Sequence, residues 1–463
     1  MHVLNMLRNM KLTLANPFYY ISKPSFKEVN YSNLSEILKS NRNYIKQIVL
    51  AANDPKYLYW DKFKHKSLPK SLSMEEQWLL VHMYRDASAI ETPIKSVEGE
   101  NFKWTRLVSF DERLHEIDML VGGGLFPKSK IPVGDRETYV SRGVIEESIA
   151  SSQLEGAHTT RAAAKKMILE KKKPKNKSEQ MIQNNYQVML ALEDDFKGRE
   201  LSREMLFELH SMLTENTLET HQQKRFRQDD DEIVVEGMIG SETYTTHVPP
   251  DEIILDKELD RLIAYANDSL DDKFTHPIIK AIFIHFWVGY LHPFVDGNGR
   301  LARALFYWYL LKKGYWTFSY IPISTVIKKS STQYAMAYIY AEQDGDDITY
   351  FLDYQMRKVM QAMKEFSDFV ERQAKQNQKV GQILNSKIAL NDRQKQLVFY
   401  FISEDKASTT TTSHLILNEI SRVTATKDLK ELEKLKLIEA QKEGKYVRYY
   451  ATDKLKSMVE LDK

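Results

Sequence analysis

The sequence has no cysteine among its 463 residues. This absence excludes disulfide bonds and thiolate metal sites, and it is typical of a protein from a reducing compartment. Core-forming residues are not lacking, because 42% of the chain is hydrophobic and 28% is charged. That composition excludes a wholly disordered chain and allows a sizeable buried core.

An excess of one charge is also missing, since the formal net charge is only +2. A balanced chain is not drawn as a whole to nucleic acid or to a membrane surface. Long apolar runs are missing too: the longest, around Ala281–Leu291, is too short to span a bilayer and contains His285. The N-terminal segment has no continuous apolar stretch of the kind found in signal peptides. We therefore expect a cytoplasmic protein without a membrane partner.

Helix-compatible segments occupy most of the chain, so the sequence predicts a mainly α protein. We divide it into a helical N-terminal region (1–100), a central helical domain (101–375), a linker (376–388) and a C-terminal domain (389–463). Within the central domain one helix is predicted over about 139–156. The C-terminal domain reads as three helices followed by two short strands around Glu443–Gly444, which predicts a winged helix-turn-helix.

One segment breaks the helical rhythm of the central domain. Residues 231–248 contain β-branched stretches on both sides of Gly237–Gly240, and Pro249–Pro250 follows them. This pattern predicts a β-hairpin. Because an isolated hairpin is marginally stable, it must pack on or pair with something else.

The stretch LHPFVDGNGRLAR, residues 291–303, joins two apolar segments that we predict to be helices. We expect Thr275 and Pro277 to open the first helix and the Gly-Asn-Gly sequence to lie at the N-terminus of the second. Unpaired backbone N–H groups and the positive end of the helix dipole make such an end an anion site. Arg300 and Arg303 share a face there, where cations are unfavourable unless an anion is bound.

A carboxylate and an imidazole complete the loop. Asp296 would repel a phosphate by itself, but one carboxylate together with phosphate oxygens is a common way to hold Mg²⁺. The ordinary pKa of a histidine suits His292 to take a proton from an attacking hydroxyl. These residue types together predict phosphoryl or nucleotidyl transfer.

HPFVDGNGRLAR also resembles the Fic-family signature, which has His, Phe, an acidic residue, Gly-Asn-Gly-Arg and a second Arg at fixed spacing. Every fixed position is present, and the resemblance covers about residues 140–345. It implies a Fic-type helical core with a β-hairpin flap. It also implies an adenylyltransferase that transfers AMP from ATP to Ser, Thr or Tyr hydroxyls of a target protein or of the chain itself.

By motif position, the resemblance implies a role for each residue of the loop. These roles are general base for His292, magnesium ligand for Asp296, anion hole for Gly297, Asn298 and Gly299, phosphate contacts for Arg300 and Arg303, and packing anchor of the nucleotide-binding loop for Phe294. Tyr334 is a candidate for stacking on adenine. The hairpin would offer its free edge to an extended target segment by strand addition.

A second, shorter resemblance lies upstream, in SSQLEGA at residues 151–157. Ser151, Glu155 and Gly156 match the inhibitory helix of Fic proteins. Gly156 is a natural helix stop, and a carboxylate at a helix C-terminus opposes the dipole and favours an arginine partner. The resemblance implies that Glu155 pairs with Arg303 and blocks the productive position of the γ-phosphate.

Other functions remain open at this stage. The chain could be a regulator that senses nucleotide and binds DNA through residues 389–463, although the predicted recognition helix carries nearly balanced charge. A Fic enzyme could instead transfer another phosphate-containing group or remove AMP. A non-catalytic phosphate-binding protein is a third possibility, against which the intact His292 argues. Self-association as a homodimer through the helical surfaces is also expected.

Overall fold

The computed structural model describes residues 14–68, 71–119, 136–270, 274–383, 389–403, 407–443 and 446–460. The fold is mainly α, as the sequence predicts. The N-terminal helices are α1 (Tyr31–Ser40), α2 (Arg42–Asn53), α3 (Trp60–Phe63), α4 (Met74–Ala87) and α5 (Val108–Ile117). The central helices are α6 (Arg136–Leu154), α7 (Arg161–Leu169), α8 (Lys177–Ala191), α9 (Arg203–Thr214), α10 (Glu252–Ala266), α11 (Pro277–Leu291), α12 (Asn298–Lys312), α13 (Ile323–Lys328), α14 (Ser331–Gln343) and α15 (Thr349–Ile383). The C-terminal helices are α16 (Asp392–Ser403), α17 (Thr411–Asn418), α18 (Arg422–Lys434) and α19 (Asp453–Glu460).

In the described part of the chain, the named strands pair antiparallel and form small sheets. The first sheet pairs β1 (Ala89–Lys95) with β2 (Asn101–Thr105), the second pairs β3 (Val235–Ile239) with β4 (Glu242–His247), and the third has the order β5 (Ser408–Thr409), β7 (Tyr446–Ala451), β6 (Ile438–Glu443). The second sheet is the predicted hairpin, with Gly240 at positive φ in its turn. The β1–β2 hairpin was not predicted; its pairing buries Ile94 and Phe102.

Helix α11 lies at the centre of the core because it is apolar around its whole circumference. All of its residues except Pro277 and Gly289 are buried, and it packs along the equally buried α12. The same hydrophobic cluster includes Ile48 and Trp78 of the N-terminal helices. The two parts of the chain therefore bury apolar surface against one another.

Two local expectations differ from the structure. The side chain of His276, rather than that of Thr275, caps α11 by accepting a hydrogen bond from the Ile278 N–H. Helix α15 continues to Ile383, into the predicted linker 376–388, because this polar stretch holds no proline that would stop a helix. Residues 384–388 lie outside the described part of the chain.

The C-terminal elements have a hydrophobic cluster of their own, which includes Val398, Leu429 and Leu455. Helices α16 to α18 precede the β6–β7 hairpin, and Gly444 of the predicted turn lies outside the described residues. The assignment of these C-terminal helices and strands as a winged helix-turn-helix stays a prediction. Within the described ranges, no helix combines the length and the apolar character needed to cross a bilayer.

Candidate active site

The predicted loop joins α11 to α12 through two left-handed residues. His292 has φ of 48° and ends α11, and Gly297 has φ of 88° and forms the N-cap of α12. Glycine tolerates this conformation at little cost, whereas a histidine in it must be held by its surroundings. The first turn of α12 then directs its unpaired backbone N–H groups into the concave side of the loop.

Side chains inside the loop keep its shape. The Asn298 side chain accepts a hydrogen bond from the Phe294 N–H at 2.9 Å and donates to the Phe294 carbonyl oxygen at 2.7 Å. Phe294 is fully buried, and its ring stacks on His210 with centroids 3.7 Å apart. Phe294 therefore packs inward, and the side chain of Asn298 braces the loop.

Two supporting residues were missed by the sequence reasoning, since each lies far along the chain from the loop. His210 of α9 lies 2.9 Å through Nε2 from the Asp296 carbonyl oxygen. Arg227 is buried, and its guanidinium donates to the carbonyl oxygens of His292, Leu291 and Pro250.

The His292 side chain is a neutral imidazole. Its Nδ1 lies 3.3 Å from the Gly289 carbonyl oxygen, which can only accept a hydrogen bond, so Nδ1 carries the proton and Nε2 keeps its lone pair. Burial lowers the pKa of His292 to about 3, with further lowering from nearby His247. The imidazole is therefore unprotonated at neutral pH.

Arg300 and Arg303 form a cationic cradle at the start of α12. The Arg300 side chain is 0% exposed, and its Nη1 donates to the Leu213 carbonyl oxygen at 2.6 Å. Nε and Nη2 of Arg300 and Nη1 of Arg303 have no hydrogen-bond partner among the described residues. A buried donor without a partner costs folding free energy. An anion with several oxygens would satisfy the free donors of both arginines.

The Asp296 carboxylate accepts a hydrogen bond from the Gly297 N–H at 2.6 Å and lies 3.8 Å from Nη2 of Arg300. Its side chain is 38% exposed, so it can reach a ligand. Clusters of three or more His, Asp or Glu side chains able to hold a metal are absent from the described ranges. A lone carboxylate fits Mg²⁺ only where phosphate oxygens supply further ligands.

Glu155 occupies the same end of α12. Its Oε1 accepts a hydrogen bond from Arg303 Nη2 at 2.9 Å, while Ser151 Oγ accepts from Arg303 Nε at 2.8 Å. A methyl group built on Gly299 would lie 2.2 Å from that same carboxylate oxygen. The carboxylate therefore rests against the helix N-terminus. Burial lowers the pKa of Arg303, but the charge and hydrogen bond of Glu155, together with nearby Tyr334 and Glu147, outweigh burial and raise the pKa.

Helix α6 ends as the SSQLEGA sequence predicts. Its last residue is Leu154, and Gly156 adopts φ of 88° while its N–H donates to the Gln153 carbonyl oxygen at 3.3 Å. Upstream, the buried Glu147 accepts hydrogen bonds from the Tyr307 hydroxyl and from the Ser324 N–H, each at 2.9 Å. These contacts fix the register that brings Glu155 to Arg303.

Tyr334 lies near the cradle but inside an aromatic cluster. Its hydroxyl is 2.9 Å from His285 Nε2, and its ring contacts Tyr338 edge-on with centroids 5.4 Å apart. Burial raises the pKa of Tyr334, and nearby Arg303 opposes the rise. Its stacking on adenine stays a prediction.

The hairpin is fixed next to the loop. We expected a free edge, but the outer edge of β4 is already paired. His247, at the end of β4, lies 2.7 Å through Nε2 from the Tyr290 carbonyl oxygen of α11. On the outer side of β4, the Tyr19 N–H donates to the Thr245 carbonyl oxygen at 2.9 Å, and the Thr245 N–H donates to the Pro17 carbonyl oxygen at 3.0 Å. The chain's own N-terminal segment therefore pairs with β4, and among the described residues no strand pairs with the outer edge of β3.

Comparison with known proteins agrees with this geometry. Residues 200–310, which span α9 to α12 and the hairpin, match the profile of the Fic/DOC family. This match is confined to the segment that carries the candidate site.

Curated relatives carry the name protein adenylyltransferase Fic. The one from Nematostella vectensis is 40% identical over 72 residues, which is 15% of this chain and 16% of the relative. The one from Drosophila grimshawi is 32% identical over 88 residues, which is 19% of this chain and 17% of the relative. The chain thus matches only about a sixth of the length of these relatives. A crystal structure of a Fic family protein from Desulfovibrio desulfuricans G20 aligns with a TM-score of 0.46 and 20% identity, over 75% of this chain and 97% of that one.

Proposed function

We propose that this protein is an adenylyltransferase that transfers AMP from ATP to a hydroxyl group of a target protein. The observation that carries the proposal is the loop geometry. The loop starts at His292, whose Nδ1 faces the Gly289 carbonyl oxygen, and ends at the helix whose first turns carry the unpartnered donors of Arg300 and Arg303. A base for an alcohol and a cradle for a polyphosphate are the two elements that nucleotidyl transfer requires.

In the proposed reaction, the hydroxyl oxygen of the target attacks the α-phosphorus of ATP. A new P–O bond forms to the target, the bond between the α-phosphorus and the bridging oxygen breaks, and pyrophosphate leaves. His292 Nε2 accepts the hydroxyl proton. Arg300, Arg303 and the backbone N–H groups of Asn298 and Gly299 hold the phosphate oxygens and offset their negative charge.

Asp296 would hold Mg²⁺ together with phosphate oxygens, since its exposed carboxylate and the anionic ligand form a suitable donor set. When bound, the ion would neutralise phosphate charge. The hydrogen bond from the Gly297 N–H orients the Asp296 carboxylate without any metal, so the ligand geometry is prepared in advance.

We further propose that Glu155 inhibits this reaction. Its carboxylate rests at the helix N-terminus that an anion would occupy, and it engages Arg303, the candidate contact for the γ-phosphate. A nucleotide that binds productively would have to displace this carboxylate. Ser151 supports inhibition by fixing the Arg303 guanidinium in the pose that Glu155 requires.

A target segment would pair with the hairpin by strand addition, at one of two edges. The outer edge of β3 is open within the described ranges, whereas the edge of β4 becomes available only when the Asn16–Tyr19 segment leaves. Main-chain pairing of this kind places a hydroxyl near His292 with little demand on target sequence.

Mass spectrometry of a cell lysate incubated with the Glu155→Gly protein, ATP and magnesium tests the proposal. We expect AMP on Ser, Thr or Tyr side chains of a target or of the protein itself, and no such product with Glu155→Gly/His292→Ala. Another phosphate-containing adduct would instead favour the alternative Fic chemistry. Loss of AMP from a pre-modified protein would favour AMP removal, and nucleotide binding without any product would favour a non-catalytic role.

A second function, DNA contact through the C-terminal elements, is favoured by one observation. Asp428 of α18 is buried and accepts hydrogen bonds from Arg393 and Asn391, so it does not offset the exposed Lys427 and Lys430 on the same helix. The exposed side of α18 is therefore more cationic than the sequence count indicates. Fluorescence anisotropy of a labelled duplex with the full chain tests this function. Binding that weakens with salt and with Lys430→Gln supports it, and no binding at low salt excludes it.

A further inference from the structure

A cavity of about 570 Å³ lies along the side of α6 that faces away from Arg303. Gly143, Glu146, Ala150 and Gln153 line it at helical spacing, whereas Glu147, Ser151 and Glu155 form the opposite stripe of the same helix. Its other walls come from α7, α13, α15 and the short 3₁₀ turn Trp316–Tyr320. The cavity belongs to no part of the nucleotide site described above.

One wall of the cavity is aromatic. Tyr320 and Phe366 stack with ring centroids 4.7 Å apart, and Phe369 lies beside them on α15. Ile149 and Ala150 of α6 add aliphatic surface. A flat apolar group would be covered on several sides in this space.

The polar part of the lining carries excess positive charge. The cations Arg161 and Lys329 have carboxylate partners within the lining, Glu146 and Glu365 respectively. Two further lysines do not. They are Lys165, whose ammonium donates to no acceptor among the described residues, and Lys328, which donates to the neutral amide oxygen of Gln153 at 2.5 Å.

The environment of Lys165 compensates its charge only in part. Burial lowers the pKa of this ammonium, and the neighbouring Arg142 and Arg161 lower it further, while only Glu146 opposes them. Glu146 is already engaged by Arg161. A half-buried cation in this position is stabilised by an incoming anion.

We infer that this cavity is a binding site for a small aromatic anion, with its ring against Tyr320 and Phe366 and its phosphate or carboxylate on Lys165 and Lys328. The volume is within the range of about 300–1,000 Å³ that is usual for small-molecule sites, and an aromatic wall with a few convergent polar groups is their usual lining. The inference does not depend on the proposed function, because no residue of the cradle takes part.

Fluorescence titration of the full chain with 1-naphthyl phosphate tests the site. We expect saturable binding to the unmodified protein and a dissociation constant at least about tenfold higher for Lys165→Met, since a charge-assisted hydrogen bond is lost. Lys166→Met is the matched control, because Lys166 is the exposed neighbour on the same helix and its change removes the same charge. We expect this control to bind like the unmodified protein.

Further arms separate the possible outcomes. Tighter binding of 1-naphthyl phosphate or of 1-naphthoate identifies the preferred anionic group. Equal binding of the neutral 1-naphthol overturns the inference, as does binding that Lys165→Met leaves unchanged, which would place the probe in the arginine cradle. If Lys165→Met does not fold, Lys328→Gln carries the same expectation, because Lys328 lies on a different helix.

Discussion

At the scale of single residues, the chemistry depends on which nitrogen of His292 carries its proton. The Gly289 carbonyl oxygen assigns that proton to Nδ1, and Arg227 donates a hydrogen bond to the His292 carbonyl oxygen. Both contacts hold His292, whose backbone is in the strained left-handed conformation. The imidazole is therefore held in place before any substrate binds. Removal of the ring should therefore affect the chemical step more than binding.

We expect His292→Ala to lower the rate of AMP transfer by about 10²–10⁴-fold, the usual contribution of a general base, while nucleotide binding is mostly kept. Single-turnover labelling and a separate nucleotide titration measure the two effects. His65→Ala, at an exposed histidine of the N-terminal region, is the control. If His292→Ala labels as fast as His65→Ala, the base assignment is wrong.

We expect Glu155→Gly to raise AMP transfer by about tenfold or more, because Arg303 loses the hydrogen-bonded carboxylate that competes with phosphate. Glu155→Gln keeps the size of the side chain and loses its charge, so it should give an intermediate rate. Initial rates at fixed ATP and magnesium measure both variants. Equal rates for all three proteins would contradict an inhibitory role for Glu155.

Stability should fall with acidification because buried histidines resist protonation in the folded state. Burial lowers the pKa of His210 to about 4 and those of His285 and His292 to about 3. The unfolded chain takes up these protons below about pH 6.5. The contribution of the neutral histidines to the free energy of unfolding is therefore complete above that pH and is lost as the pH falls toward 4. Each histidine lowers the free energy of unfolding by about 1.4 kcal/mol per pH unit in this range. Asp346 acts in the opposite direction, since burial raises its pKa to about 6.

Urea unfolding at pH 7.5, 6 and 5 measures this dependence. We expect the free energy of unfolding to fall over this range, with a shallower slope for His285→Gln. A free energy that is the same at pH 7.5 and pH 5 would show that these histidines are protonated in the folded protein.

At the scale of elements, the position of α6 is set by a close backbone contact. A methyl group on Gly143 would lie 2.3 Å from Cα of Tyr320, so Gly143→Ala must push α6 away from the 3₁₀ turn. We expect a loss of about 1–3 kcal/mol in unfolding free energy and a higher rate of AMP transfer, because Glu155 moves with the helix. Thermal melts and initial rates measure the two effects.

The matched control for that change is Gly198→Ala, since a methyl group there meets nothing within 4 Å and Gly198 lies outside α6. It should leave both the melting temperature and the transfer rate unchanged. A destabilised Gly143→Ala protein whose transfer rate does not rise would separate the packing of α6 from inhibition.

Local sequence signals predicted the elements that carry the site. Three patterns each favour one local structure. Apolar residues around its whole circumference indicate a buried helix for α11, Gly-Asn-Gly indicates the helix start of α12, and β-branched segments around Gly240 indicate a hairpin. The pairing of the Asn16–Tyr19 segment with β4 had no such signal, because strand pairing across more than two hundred positions is decided by tertiary contacts.

The candidate site divides in the same way. The cationic pair Arg300 and Arg303 could be predicted because it lies on one face of one helix. His210 and Arg227 could not, because their importance depends on carbonyl groups of the folded loop that no sequence pattern reports. Asn298 was predicted to line an anion hole, and only the structure shows that its side chain braces Phe294.

At the scale of the whole molecule, α6 separates the two proposed ligand sites. Its inner stripe brings Glu155 to the cradle, and its outer stripe forms one wall of the cationic cavity. In this structure, in which α6 is docked with Glu155 against Arg303, both α6 and α15 line the cavity. A ligand that requires both walls binds this arrangement better than an undocked one, so it stabilises the docked helix.

We therefore expect 1-naphthyl phosphate to lower AMP transfer by the unmodified protein and to have little effect on Glu155→Gly, which keeps the helix but lacks the carboxylate. Initial labelling rates at increasing probe concentration measure this, with Lys165→Met as the protein whose cavity no longer holds the probe. This expectation depends on both the proposed function and the proposed cavity site. Equal inhibition of the unmodified and Glu155→Gly proteins would mean that the probe competes with ATP in the arginine cradle, because only there would the state of α6 not matter.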